Sequence, residues 1–497
     1  MRVLLVNPFS VVEKSWMPYP PHEPLALEYL AAVASNEHEV NLLDCRGAFL
    51  DEFKALPNGL FHVGASLKQI KTFITNWKPE LVGITLPFAT QISSVYSIIN
   101  LVKEIDKGII TVIGGCTASS YPQQTLKQNK NIDIVVVGEG ELTFQELLEG
   151  KEMNRIDGIV YRNENKAIRN SPRHFIANLD EIPFPRRDLV PLENYSKYRF
   201  GKERFKRGAY LLRTRGIKHL VKRLFTKTHR SLFDKDDFHQ RIPKYGIEAK
   251  ILTSRGCPFN CYFCAVHNVW SRTYRMRSPK NILEEMELLN EKYKVRHFGI
   301  VDDNFNLSKK RTIEICKGII ERGLEVTLRA DSGLYLSPID EETLRMMKKA
   351  GFHELYFGIE SGNERILKDV IGKKVDLEQV KEVARRCKIL DIVSGGFFMI
   401  GVPGETKETM EDIINFAISS NLDRIRIYTC QPFPGSKLYE DCKQNEWLTT
   451  DFDVSKTLIF ESKSYIQTKD FSPEDVAQIS KKGKAILRKQ RRLGMEE

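Results

Sequence analysis

The sequence predicts an α/β chain built from two parallel-sheet units joined by a bridge. Three observations carry that expectation. Over residues 1 to about 150, five short apolar runs alternate with helical patterns. From Ala249 on, six further runs recur, each ending in a polar or glycine-rich cluster, with roughly 10–15 helical residues between most pairs. The chain has 497 residues, 41% of them hydrophobic, which provides for a sizeable core. No apolar run reaches the ~18 residues that a membrane span needs.

In the first unit the strands are expected at Val3–Asn7, Val40–Asp44, Leu81–Thr85, Ile110–Gly115 and Ile132–Val137, with helices near Pro24–Val33 and Ile70–Trp77. Continuous apolar strands alternating with helices mean a parallel sheet covered on both faces. Such a doubly wound, Rossmann-like sheet takes its ligand beyond the carboxyl ends of the strands. Those ends carry Asn7, Thr85, Gly114, Gly115 and the run Gly138-Glu139-Gly140-Glu141. Glycines there admit a flat, bulky ligand to the backbone, and ordinary turns use glycine equally well. No G-x-G-x-x-G follows the first strand, which argues against a dinucleotide.

The bridge starts with a strand at Gly158–Arg162, read as an edge, and a Pro-rich connection at Leu179–Pro185. Net charge is +11, and it is concentrated: from Ser196 to Arg230 thirteen Lys or Arg face Glu203 alone, more than the whole excess. Ile217, Leu220, Val221, Leu224 and Phe225 form one helical stripe within residues 209–230. Three roles fit such a helix: packing on the enzyme, lying on an anionic membrane, or binding nucleic acid. Sparse aromatics between the charges disfavour nucleic acid.

In the second unit the runs Lys250–Ser254, Val295–Val301, Glu325–Arg329, Glu354–Ile359, Ser394–Ile400 and Arg424–Tyr428 read as six βα units. That is a partial TIM-type barrel, whose chemistry sits at the C-terminal ends of the strands. The first strand leads into Cys257-Pro-Phe-Asn-Cys261-Tyr-Phe-Cys264. Three thiols at this spacing can converge on one soft-metal centre. Two centres fit: zinc with His267 as fourth ligand, or a four-iron, four-sulfur (4Fe-4S) cluster with one open iron. His297 and His353 lie beside strands and read as structural, and no acid–base pair stands out.

The cysteine spacing, with Phe263 before the last thiol, resembles the signature of the radical S-adenosylmethionine (SAM) enzymes. Over residues 1–440 the resemblance extends to the members with an N-terminal cobalamin-binding domain, flavodoxin-like in fold. It rests on Val6-Asn-Pro8, Pro24-Leu-Ala-Leu-Glu-Tyr-Leu30, Gly114-Gly115 and Val135-Val-Val-Gly-Glu-Gly-Glu141. It implies that Cys257, Cys261 and Cys264 hold the cluster and that Phe263 packs near the adenine of SAM. It also implies Asp302 and Asp303 near the methionine amine, Arg329 at the SAM carboxylate unless it pairs with Asp331, Glu360 on the ribose, and Gly401 to Glu405 on the adenine side. Asn7, Thr85, Gly114, Gly115, Gly138, Glu139, Gly140 and Glu141 would then face cobalamin. The D-x-H-x-x-G loop that supplies a cobalt ligand elsewhere is absent after the first strand, and Asp237-Phe-His239 lacks its glycine, so the cobalt would carry no protein histidine.

The activity so implied is reductive cleavage of SAM to a 5′-deoxyadenosyl radical, then methylation of an unactivated carbon from methylcobalamin. A cyclisation, rearrangement or carbon–carbon coupling on a lipid or other hydrophobic metabolite uses the same cofactors. Methylthiolation of RNA would need three N-terminal cysteines for a second cluster, and the first third has only Cys45 and Cys116. The expected partners are a small-molecule or lipid substrate, an electron donor such as flavodoxin or ferredoxin, and a membrane surface through residues 209–230. Nine cysteines with three clustered are no disulfide framework, and Met1–Asn7 is no signal peptide, so a cytoplasmic site, peripheral to the membrane at most, is expected. The domain boundaries read as 1–150, 151–248, 249–440 and 441–497. In the last, Ser472-Pro473-Glu474-Asp475 starts a helix to about Leu493, weakened at Gly483.

Overall fold

The computed structural model describes residues 1–12, 21–35, 37–57, 59–164, 166–200, 246–456 and 463–493. The basic helix expected within 209–230, and Asp237 and His239, lie outside them. In the first unit the strands are β1 Arg2–Asn7, β2 Ser10–Val12, β3 Glu39–Asp44, β4 Phe53–Ala55, β5 Phe61–Val63, β6 Leu81–Thr85, β7 Ile110–Gly114, β8 Ile134–Val136, β9 Ile159–Asn163 and β10 Lys166–Arg169. The main sheet has the order β10-β9-β8-β7-β6-β1-β3. Its members β1, β3, β6, β7 and β8 are parallel. Val3 to Val6 are fully buried because helices cover both faces.

Order reverses between β1 and β6, so the crevice beyond Asn7 and Thr85 is the switch point at which such sheets take ligands. Residues 158–162 were expected at the edge. Instead β9 lies inside, antiparallel to both β8 and β10, because the chain turns back at Glu164, whose φ is 53°. The small antiparallel sheet β2-β5-β4 was not anticipated, since three-residue strands carry too little periodicity.

The second unit contains β11 Ile247–Ile251, β12 Ser254–Arg255, β13 Arg275–Met276, β14 Val295–Ile300, β15 Thr327–Leu334, β16 Phe352–Glu360, β17 Val393–Ile400 and β18 Arg424–Thr429. The order β11-β14-β15-β16-β17-β18 is parallel throughout and unclosed, which makes a partial barrel of six strands. Its C-terminal helix, Pro473–Leu493, packs beside β18. The helix runs on through Gly483, which packs closely on the helix Lys407–Ser419: a Cβ there would stand 2.8 Å from Cδ1 of Ile414. Among the described residues no helix is long and apolar enough to cross a membrane.

The two units share one core. It runs from Val3, Leu5 and Leu27 through Val190, Leu192 and Tyr195 of the bridge to Ala249 and Ile251. Arg187 is buried at the same junction. It pairs with Glu23, with Glu28 at 3.1 Å and with Glu285 at 3.1 Å, so one guanidinium ties the first unit, the bridge and the barrel together.

Candidate functional site

The cysteine loop grows from a short hairpin. Beyond β11, β12 pairs with β13 and pinches off residues 256–274. Gly256 begins the loop at φ +86°, and any Cβ there would stand 2.3 Å from the carbonyl oxygen of Thr273, so only glycine fits. The amide of Cys264 donates to the carbonyl of Cys261 at 3.0 Å. The amide of Tyr262 donates to Ile371, and its carbonyl accepts from Leu438, which anchors the loop to the barrel top at both points.

The three thiols are half-buried, and burial pushes each one up, Cys264 to about 12. Metal ligation needs thiolates, so the charge of any metal held here would have to favour the deprotonated form. Among the described residues no three Cys, His, Asp or Glu side chains converge as a single-ion site. His267 is engaged by the backbone at Gly435, away from a fourth-ligand role. Three thiols in one loop fit a cluster in which each sulfur would hold its own iron. Phe263 is half-buried against the main core.

Around the loop the acids divide into two sets. Asp302 is fully buried and accepts from the Thr253 amide at 2.6 Å and from the hydroxyls of Thr253 and Ser254. Its carboxylate fastens β14 to the base of the cysteine loop, so the expected contact with a methionine amine is already replaced by protein donors. Asp303 faces the thiols. Burial first, and the charge of Asp302 second, push it up to about 7. Asn304 adds a hydrogen bond to Cys257.

Glu360 ends β16 in a left-handed conformation, φ +74°, which is costly for a non-glycine residue and marks a position held for a purpose. It bonds Lys373 at 2.9 Å. Burial works against the Lys373 ammonium, but Glu360 and Cys261 hold it charged. Sequence reasoning missed Lys373. Its only signal was Gly372, whose φ of +74° turns the loop toward the cysteines, where a Cβ would stand 3.6 Å from the carbonyl oxygen of Asn260.

Arg329 and Glu405 are corrected in the same way. Arg329 lies near the start of β15 and bonds Glu248 across the barrel at 2.6 Å, so its guanidinium is spent inside the lumen and not on a ligand carboxylate. His297 sits at that level too, 2.5 Å from the hydroxyl of Thr327. Glu405 accepts from the amides of Gly401 and Val402, both at 2.8 Å, and so closes its own turn. Gly401, at φ +84°, has Val476 of the C-terminal helix behind it, 3.1 Å from where a Cβ would be.

Burial pushes Glu405 up to about 8 from an ordinary 4.5. The folded protein therefore keeps a proton that the unfolded chain releases above pH 4.5. That contribution is fully present below pH 4.5 and is lost as pH rises through about 8. Glu405→Gln, which cannot ionise, should shed this dependence. Its Tm relative to the parent is expected to rise from pH 5 to pH 8, and parallel pH profiles would refute the assignment.

On the first unit, Asn7 donates to Asp44 at 2.8 Å, and Asp44 also accepts from Tyr195 at 2.6 Å. Thr85 and Gly114 are register partners. Gly115, at φ +108°, lies so close to Leu86 that a Cβ would stand 3.0 Å from its carbonyl oxygen. Gly138, at φ +80°, would put a Cβ 3.5 Å from the carbonyl oxygen of Val269 in the cysteine loop, and Gly140 one 3.2 Å from Leu30. Gly138 also borders a cavity of ≈ 160 Å³ with Gly158, His174 and Asn268.

Glu139 and Glu141, expected at a cofactor, are instead buried between the units. Arg255 bonds Glu139 at 2.9 Å and Glu141 at 2.5 Å, and Arg275 bonds Glu139 at 2.8 Å. Against the burial that would discharge it, Glu141 and Glu139 hold Arg255 above its usual range. The guanidinium lies 4.8 Å from the Trp270 ring and 5.6 Å from that of Tyr29. The glutamates fix the hairpin that carries the cysteines onto the first sheet.

The result is one shared crevice. Asp303 of the barrel acts on Cys116 of the first unit as well as on Cys257 and Cys264. Asn268 of the cysteine loop reaches Ser120 at 3.4 Å. The carboxyl ends of both sheets therefore face each other across the cysteine loop.

Comparison with known proteins agrees with this layout. Residues 251–417 match the Radical SAM superfamily, and residues 18–148 match the B12 binding domain. The uncharacterized methyltransferase PH0819 of Pyrococcus horikoshii is 30% identical over 90% of this chain and 85% of its own length. The cytidylyl-2-hydroxyethylphosphonate methyltransferase of Streptomyces wedmorensis is 27% identical over 89% of this chain and 81% of its own length. In fold, the chain is similar to the radical S-adenosylmethionine methyltransferase TsrM from Kitasatospora setae, solved with cobalamin and a 4Fe-4S cluster, with a TM-score of 0.65 at 19% identity over 90% of this chain and 79% of that one.

Proposed function

The chain belongs to the cobalamin-dependent radical SAM methyltransferase family, and from that premise we propose that it methylates an unactivated carbon of a small molecule held between its two units. The observation that carries this reading is the apposition of the two strand-end faces across the cysteine loop. Bound there, the cluster with SAM supplies a carbon-centred radical, and cobalamin supplies a methyl group.

The protein's own part is to bind, orient and exclude water. Cys257, Cys261 and Cys264 would hold the cluster. Asp303 offers a carboxylate to the SAM amine. Lys373 and Glu360 give a cation and an anion beside Cys261, suited to the SAM carboxylate and ribose hydroxyls. Thr85, Gly114, Gly115 and Gly138 border the cobalamin face. The loop after β1 has no histidine, and nearby His62, its ring tilted 30° to that of Phe9 with centroids 4.3 Å apart, directs Nε2 to the carbonyls of Gly64 and Ala65 at 3.1 and 2.9 Å. That supports a cobalt without a protein histidine. The division into 1–150, bridge, 249–440 and tail is the one these roles require.

The reading calls for a one-electron donor of the flavodoxin or ferredoxin type. For the basic residues 209–230 we propose contact with an anionic membrane surface; salt-sensitive co-sedimentation with acidic vesicles is expected, and no co-sedimentation would leave packing on the enzyme as their role.

Anaerobic reconstitution with iron, sulfide, cobalamin and SAM, assayed with a low-potential one-electron reductant, is the deciding experiment. A brown protein with bound corrinoid that releases 5′-deoxyadenosine is expected, and a product heavier by one CH2 marks methylation. A cyclase would give a product without that gain. A colourless protein holding one zinc would end the proposal.

A further inference from the structure

Among the described residues, no carboxylate pairs with one guanidinium of the barrel, that of Arg426. Alternation puts Glu354, Tyr356, Gly358 and Glu360 of β16, Gly395, Phe397 and Met399 of β17, and Arg424, Arg426 and Tyr428 of β18 on the inner face. Ring contacts bear this out: Tyr356 stacks on Phe397 at 5.0 Å and 13°, and Phe397 meets Tyr428 at 6.0 Å. Gly395 leaves the space for the Tyr356 ring, since a Cβ there would come within 2.4 Å of it.

Along this face the cations are paired. Arg329 and Lys250 bond Glu248, Arg424 bonds Glu354, and Lys373 bonds Glu360. Arg426 differs. Its guanidinium lies 5.1 Å from the Tyr356 ring centre and donates to that hydroxyl at 3.2 Å, with a further hydrogen bond to Tyr428. Its described partners are phenols alone, and the residue is exposed.

A guanidinium has five donors in a fixed fork, and an aromatic face beneath it holds that fork in one plane. Two phenols use only part of this capacity and cancel none of the charge. The arrangement is that of a half-filled oxyanion site. Arg426 stands in register with Phe397, and Phe397 with Gly358, two residues before Glu360. At ~3.3 Å per residue, an anion on Arg426 would sit about 7 Å below the Glu360–Lys373 level, on the lumen side of the cluster loop.

We propose that Arg426, lying over the Tyr356 ring and oriented by the hydroxyls of Tyr356 and Tyr428, binds an oxyanion of the substrate, a carboxylate or a phosphoryl group. The carbon to be methylated projects from it toward the cysteine face. The inference rests on the function proposed above and names the substrate class for it.

The test is equilibrium binding to the full-length reconstituted holoenzyme, with inorganic phosphate, methylphosphonate and benzoate as separate probes. At least one probe should bind in the millimolar range and weaken as salt is raised. Arg426→Leu should weaken it at least tenfold, Arg426→Lys less, and Tyr356→Phe by a few fold through loss of the orienting hydroxyl. Iron and corrinoid content report separately on the function itself, so its failure is not confused with failure of the anion site. Tighter phosphate and methylphosphonate binding would assign a phosphoryl substrate, and tighter benzoate binding a carboxylate. Binding of no probe, or equal binding by the parent and Arg426→Leu, would overturn the proposal.

Discussion

Cys261→Ala is expected to lose the cluster and with it all release of 5′-deoxyadenosine. The reason is coordination arithmetic: each of three sulfurs holds one iron, and two cannot fix a cube in a loop that is open on its fourth side. The fold should survive, because Cys261 is half-buried and the loop is anchored by backbone hydrogen bonds at Tyr262, not by the thiol. Iron and sulfide content, with the visible absorbance of the reconstituted protein, read the effect directly. Cys316→Ala, in the helix Lys309–Glu321, is the control and should keep its iron. A Cys261→Ala protein with full iron content that still cleaves SAM would refute the assignment of the ligands.

The second large effect is expected at Arg255. Its removal leaves Glu139 and Glu141 buried with Arg275 as the one ion-pair partner left to them among the described residues. Breaking one side of a buried ion network costs about 3–5 kcal/mol, because a desolvated charge loses its partner. Arg255→Ala should therefore lower Tm by many degrees and loosen the attachment of the cysteine hairpin to the first sheet, two residues from Cys257. Arg255→Lys keeps the charge but loses the fork that reaches both glutamates, so its loss should be intermediate. A double-mutant cycle with Glu141→Gln should show coupling above 1 kcal/mol, the range for residues sharing one network. Additive effects, or an Arg255→Ala protein as stable as the parent with normal iron uptake, would show that the network does not hold the units together.

Both predictions bear on how much of the site was legible in the chain. The cysteine loop was, because its three ligands lie within eight residues and a short loop leaves their relative placement little freedom. The strands were legible for the same local reason. Val3–Val6 and Phe397–Ile400 are unbroken apolar runs, and Leu355–Ile359 is interrupted only by Gly358, a pattern that fits short buried strands. The helix Pro473–Leu493 followed from its capping Ser472 and first-turn acids. The acids at strand ends were harder. Asp302 and Asp303 are neighbours of identical chemistry, yet one is consumed by Thr253 and Ser254 and the other is left facing the thiols.

The chain by itself determined the two parallel sheets, the open six-strand barrel and the thiol loop, since each depends on periodicity or spacing within a few tens of residues. Tertiary structure alone decided which charges were free. Glu139 and Glu141 find Arg255 more than a hundred positions away, Arg329 finds Glu248, and Lys373 turns in beside Cys261. A carboxylate or guanidinium looks the same in sequence whether or not it is paired. Its partner is chosen by how the sheets pack, and burial makes that pairing obligatory.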